Sequence, residues 1–244
     1  MKERGSAFGY RSIAKQSCRK WIWDLICDDE IGDVAMMPSI DGREIFEALE
    51  RGYQPFQLHV IDRNPAVVAT LQRIYPGIKT YGVEVERAFE RMTRNGVRLF
   101  AAHVDYCSNV SAKMWGSLRR LAIEPCQWDC MLFVTVLRGR ESWTNNIRRF
   151  MAQKGPAGMF RDLKTRSDMW HSTEIAPTEF DVLRLSMLSM ATRRFIDQVH
   201  PYKSTNGQTF MTVRFCPLKL DHVNTIMKIS GEAAQWQRHV RKNG

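Results

Sequence analysis

The feature that most constrains this chain is an alternation, repeated five times between Asp33 and Leu137, of short apolar runs and amphipathic stretches. The apolar runs cover residues 33–38, 56–61, 78–83, 98–104 and 130–137. They are too short for core helices, and their near-continuous apolar character suits strands buried on both faces. The stretches between them carry helical spacing. Residues 42–51 place Ile45, Phe46, Ala48 and Leu49 on one side and end before Gly52. Asn64-Pro65 opens the next helix, with Val67, Val68, Leu71 and Ile74 as its buried face, and proline fits the first turn. Helices over 85–94 and 111–122 follow. Alternation of this kind predicts an α/β fold, a mostly parallel sheet with helices on both faces. Right-handed crossovers then bring the C-terminal ends of the strands to one edge, where ligands bind in such sheets.

The flanks read differently. Residues 12–28 form an amphipathic helix, with Ile13, Cys18, Trp21, Ile22, Leu25 and Ile26 near helical spacing. After the fifth strand, 138–166 is basic and polar, holding Arg138, Arg140, Arg148, Arg149, Lys154, Arg161, Lys164 and Arg166. A long helix is predicted over 178–199, capped by Thr178 with Asp181 three residues on, an acidic variant of the capping box. Residues 208–215 alternate like a strand, 201–204 supply a partner, and Thr205-Asn206-Gly207 supplies the turn. A basic helix is predicted over 221–243. The expected organisation is an N-terminal amphipathic helix (1–30), an α/β domain (31–220) and a basic C-terminal helix or tail (221–244).

The chain carries 36 Lys and Arg against 26 Asp and Glu, a net charge of +10. Such an excess favours polyanions, DNA or RNA first, and is equally compatible with a role in solubility alone. No run approaches the ~20 apolar residues of a membrane helix, so no membrane partner is expected. The basic N-terminus has no apolar segment after it, as a secretory signal would. A cytoplasmic protein with reduced cysteines is the expectation.

The order of elements over residues 31–218 resembles the class I S-adenosylmethionine-dependent methyltransferases, whose Rossmann-like parallel sheet is finished by an antiparallel hairpin at the C-terminal end. The resemblance implies S-adenosylmethionine as cofactor and methyl transfer as the activity, and the charge makes nucleic acid the expected substrate. A non-catalytic relative that binds nucleic acid or serves an assembly is the alternative. Four positions carry the resemblance. In the turn after the first strand, which includes Pro38, Ser39, Asp41 and Gly42, the family has a glycine-rich approach to the cofactor, and this chain has one glycine. Asp62, with Arg63 beside it, closes the second strand, where the family's acidic residue accepts from both ribose hydroxyls. Asp62 could instead pair with Arg63 or cap the helix that follows. Glu84, after the third strand, matches a polar position near adenine, and also suits a helix N-terminus.

The run 103–109 at the end of the fourth strand matches the substrate side. The family's amino-directed members have Asp or Asn, two prolines and an aromatic there. This chain has Asp105 and Tyr106 without the prolines, which argues against an amino nitrogen as target. Asp105 could orient a nucleophile and Tyr106 could stack on a base, or Asp105 and Ser108 could cap the next helix. Arg138, Arg140, Arg148 and Arg149 would hold phosphates, with Trp143 as a second stacking platform. Cys107 reads as a small buried thiol rather than a nucleophile, because no proline precedes it. Cys126 and Cys130 lack a second pair at metal spacing, and no HExxH pair occurs, so no metal is expected. The absent GxGxxG and the terminal hairpin disfavour a nicotinamide oxidoreductase.

Overall fold

A computed structural model describes residues 13–27, 32–108, 110–138, 169–171, 175, 178–205 and 207–217. The predicted helix at 221–243, and Arg140, Trp143, Arg148 and Arg149, lie outside the described residues. The strands are β1 (Asp33–Met36), β2 (Leu58–Ile61), β3 (Lys79–Tyr81), β4 (Leu99–Asp105), β5 (Met131–Arg138), β6 (Ile196–Lys203) and β7 (Thr209–Phe215). The helices are α1 (Ile13–Cys27), α2 (Arg43–Glu50), α3 (Pro65–Ile74), α4 (Val85–Arg94), α5 (Ala112–Leu121) and α6 (Glu179–Thr192).

The strands form one sheet in the order β3-β2-β1-β4-β5-β7-β6. Neighbours from β3 to β5 pair in parallel, and β7 inserts antiparallel between β5 and β6. This is the plan that the resemblance implied, a parallel Rossmann-like sheet closed by an antiparallel hairpin.

Side-chain alternation along the strands builds two cores. Val34, Met36, Ala101, Phe133 and Tyr202 face α1, α2 and α3, against Trp21, Ile22, Ile45 and Leu71. Ala35, Ala102, Val104, Leu132 and Val134 face the other way, against Phe89 of α4, Leu118 of α5 and Leu185 and Leu188 of α6. Both faces are therefore covered, which is why these strands read as continuous apolar runs. The covered face under α1 also holds a polar thread. His103 Nε2 meets Thr135 Oγ1 at 2.9 Å, Thr135 meets Thr212 at 2.7 Å, and Cys18 Sγ meets Thr212 at 3.2 Å. The four side chains of this thread each have a polar partner, as burial demands.

Two expectations about boundaries are corrected. Strand two was expected from residue 56, but Pro55–Gln57 forms a 3₁₀ turn and pairing begins at Leu58. The long helix was expected to run to residue 199, yet α6 ends at Thr192 and β6 begins at Ile196. Arg193 takes a left-handed conformation (φ 57°), and Ser189 Oγ donates to the Arg194 carbonyl at 2.6 Å. The stop carries no glycine or proline, so its sequence signal is absent. The capping box at Thr178 and Asp181 forms as expected. Among the described residues no helix is long and apolar enough to cross a membrane.

Candidate functional site

The C-terminal ends of β1, β2, β3 and β4 open into a cleft of about 600 Å³, within the range of small-molecule sites. Sequence positions far apart meet here because parallel crossovers place every strand end on one edge. Pro38, Ser39, Asp62, Arg63, Glu84, Asp105 and Tyr106 all line it. Asp41 and Gly42 are not part of the lining. Gly42 is buried in a left-handed conformation (φ 62°), and a Cβ on it would meet the Tyr75 ring at 2.5 Å and Leu71 at 3.1 Å. Its glycine is needed for the packing of α2 on α3 rather than for an approach to a ligand. Asp41 accepts from Ser39 Oγ and pairs with Arg43 at 3.2 Å on a separate surface groove.

Asp62 follows β2 directly. Its Oδ1 accepts from the Asn64 backbone N–H at 2.7 Å, and Oδ2 has no partner among the described residues. Neither alternative role holds for it. Asn64, through its own side chain, caps α3 at the Ala66 N–H, 3.0 Å away, and Arg63 makes no contact with Asp62. Arg63 is exposed at the rim and is unpaired among the described residues, as is Lys113 in the first turn of α5. Lys113 is a rim residue that the sequence reading missed, because nothing in its neighbourhood marks it. Glu84 is the N-cap residue of α4, where the helix N-terminus alternative put it; its side chain makes no capping hydrogen bond, and the residue also lines the cleft.

Asp105 ends β4 with its side chain only 7% exposed. Its Oδ1 accepts from the Cys107 backbone N–H and from the Cys107 thiol, both at 2.9 Å, and Lys15 of α1 approaches Oδ2 at 3.4 Å. Burial alone would raise its pKa. Lys15, His103 and the two Cys107 donors outweigh that, and the carboxyl sits below its ordinary value. Neither Asp105 nor Ser108 caps α5, which Ser111 caps at the Met114 N–H. Cys107 was expected to be buried, but the residue is exposed, turned outward by a left-handed backbone (φ 44°). The thiol donates to Asp105, and the protein packed around the sulfur together with the Asp105 charge pushes its pKa up, which disfavours the thiolate.

Tyr106 was read as a stacking residue. Its ring is partly buried against the core of α4 and α5, and its hydroxyl lies 2.9 Å from Ser117 Oγ. Ser117 donates to Glu86 Oε2 at 2.8 Å, and Arg120 holds Glu86 Oε1 at 2.5 Å. Ser117 and Glu86 also line the cleft. The sequence reading missed both. Glu86 sits in the first turn of α4 and Ser117 in the second turn of α5, where a polar residue reads as ordinary helix surface.

Arg138 does not sit free for phosphate. Its Nε donates to Asp181 Oδ1 at 2.9 Å, its Nη2 contacts Oδ2, and its side chain is 8% exposed. It braces α6 on the end of β5. Among the described residues no three His, Cys, Asp or Glu side chains are grouped to hold a metal ion.

No family model matches the sequence, and no curated protein is significantly similar to it. Solved structures share its arrangement distantly. An S-adenosylmethionine-dependent methyltransferase from Agrobacterium tumefaciens superposes with a TM-score of 0.46 at 11% identity, over 84% of this chain and 62% of that one. This chain thus spans less than two thirds of that enzyme's length. An O-methyltransferase family protein from Burkholderia thailandensis gives 0.43 at 9% identity, over 85% of this chain and 58% of that one. The fibrillarin pre-rRNA processing protein of Methanococcus jannaschii gives 0.40 at 8% identity, over 76% and 67%. At these distances nothing about the site residues follows from the likeness.

Proposed function

We propose that this protein is an S-adenosylmethionine-dependent methyltransferase that acts on nucleic acid. The observation that carries the reading is Asp62. Its carboxylate ends β2 at the wall of the cleft with Oδ2 open, in the position where a strand-end acid grips a ribose diol. The donor set fits the cofactor. Asp62, Glu84, Glu86 and Asp105 make the lining rich in carboxylates, which suits a ligand bearing a sulfonium and an ammonium charge. Asp62 would hold the ribose, Glu84 the adenine side, and Pro38 and Ser39 the amino-acid end. The cofactor supplies an electrophilic methyl group whose transfer has its own driving force. The protein's share is to orient a nucleophile at the β4 end and to accept its proton.

Support for nucleic acid is electrostatic. Residues 139–168 hold seven Arg and Lys against three Asp and Glu, and they follow in the chain on β5, the strand that pairs with β4 at Asp105. Arg63 and Lys113 add unpaired cations at the rim. Short DNA and RNA strands should bind in a gel-shift titration at low salt and release steeply as salt rises, the signature of phosphate contacts. No retardation of either at low salt rejects the nucleic-acid part.

One observation favours a non-catalytic nucleic-acid-binding protein instead. Gly42 is spent on packing against Tyr75, so the first turn lacks a bare backbone facing the cleft. Calorimetry separates the two. The methyltransferase reading expects S-adenosylmethionine to bind, and Asp62→Ala to weaken it by about 1.5–3 kcal/mol, the scale of hydrogen bonds to a charged group. Absence of binding by the wild-type protein, or equal affinity in the variant, removes the assignment.

A further inference from the structure

Hydrogen-bond accounting at the β4 end assigns a polarity to the cleft. Asp105 is nearly filled. A carboxylate offers about four acceptor sites, and three donors already use them, two from Cys107 and one from Lys15. Cys107 spends its S–H on Asp105, so its thiol offers the cleft no proton.

Tyr106 differs. Glu86 is an acceptor with its charge fixed by Arg120 on Oε1, so Ser117 must spend its one O–H on Oε2. Ser117 Oγ can then only accept from Tyr106, 2.9 Å away. The proton order is set along the chain, Tyr106 to Ser117 to Glu86, and the Tyr106 oxygen is left with lone pairs alone. All three side chains line the cleft.

We propose that the Tyr106–Ser117–Glu86 chain makes the Tyr106 oxygen an acceptor-only point on the cleft wall, selective for a group that presents an N–H donor, such as the exocyclic amino group of a nucleobase. The inference rests on the reading of this cleft as the substrate site. Tyr106 touches the substrate, while Ser117, Glu86 and Arg120 are positioning residues that act through it. It also revises the expectation drawn from the missing prolines, which argued against an amino target.

The polarity is switchable, and that makes it testable. In Glu86→Gln, Arg120 keeps the amide oxygen and turns the amide NH₂ toward Ser117. Ser117 then accepts, donates to Tyr106, and frees the phenol O–H to point into the cleft. Three probes suffice, with affinities from NMR titration. They are cytidine, the pyrimidin-2-one riboside that lacks only the 4-amino group, and uridine, which has an acceptor oxygen in its place. The wild type should prefer cytidine over the riboside by about tenfold, near the upper end of one hydrogen bond's net value. Tyr106→Phe should erase that preference, and Glu86→Gln should move it toward uridine. A purely structural role would lower all three affinities together and would not invert their order.

The proposal is overturned if the wild type binds none of the probes, does not prefer cytidine, or keeps the same order in Glu86→Gln. Ser117→Ala, which breaks the chain with a small truncation, should also lose the preference, and its retention is equally fatal. S-adenosylmethionine binding is measured separately. Its absence, with the probes behaving as expected, would remove the methyl-transfer reading and leave the polarity standing.

Discussion

Replacing Arg194 with methionine should cost about 3–5 kcal/mol of folding stability, in the range for breaking a buried polar network. Arg194 is 2% exposed and pairs with no carboxylate among the described residues, only with carbonyl and amide oxygens. Its Nη1 donates to the carbonyls of Cys130 at 2.7 Å and Cys216 at 3.1 Å. Its Nη2 contacts the carbonyl and side-chain oxygens of Gln127 and the carbonyl of Trp128. These oxygens belong to the entry of β5 and the exit of β7, so one guanidinium ties the hairpin to the parallel sheet. Burial pulls its pKa below arginine's ordinary value, yet an arginine stays charged at neutral pH. Methionine fills much of the volume and takes the guanidinium donors away from these buried oxygens, of which the Gln127 carbonyl keeps the Cys130 N–H; each oxygen left without a donor costs about 1–3 kcal/mol before relaxation. Urea unfolding of the two proteins measures the difference. A loss under about 1 kcal/mol would mean that water replaces the guanidinium without cost, against the burial seen here.

Asp181→Asn should cost a similar amount, about 3–5 kcal/mol at pH 7, because it leaves two buried guanidinium groups facing a neutral amide. Asp181 is fully buried between Arg138 and Arg184, and it also accepts from the Thr178 backbone N–H and hydroxyl, both at 2.8 Å. Burial alone pushes its carboxyl pKa up. The hydrogen bonds from Arg138 and Thr178, with the Arg138 charge, outweigh that and hold it below the usual range. The sign of the pH dependence follows. The unfolded carboxyl, near its ordinary value of ~3.9, takes up its proton at higher pH than the folded one. The stabilisation is therefore complete above about pH 4 and is lost as pH falls through the folded value. Wild type and Asp181→Asn should differ most at neutral pH and converge in acid. Unfolding curves that stay parallel from pH 7 to pH 3 would exclude Asp181 as the titrating group.

The sequence by itself determined the parallel half of the sheet. Short apolar runs separated by helical spacing admit few other layers, and the period of the pattern depends on local backbone geometry that neighbouring residues encode. The helix start at Asn64-Pro65, the Thr178 cap and the hairpin turn were legible for the same reason, since each is set within three or four residues of chain. Asp62, Glu84 and Tyr106 were legible as cleft residues because a strand end is a position in the topology as well as in the chain.

What only the tertiary structure decided depends on contacts between distant residues. The end of α6 at Thr192 is set by Arg194 reaching carbonyls more than 60 positions away, and no local breaker announces it. Gly42 reads as a ligand-approach glycine until Tyr75, 33 residues on, is seen beneath it. Arg138 reads as a phosphate ligand until Asp181 is found against it. Ser117 and Glu86 are 31 residues apart, and each alone is ordinary helix surface. Their meaning lies in the direction of one proton, which a residue type cannot carry and a pair of packed helices can.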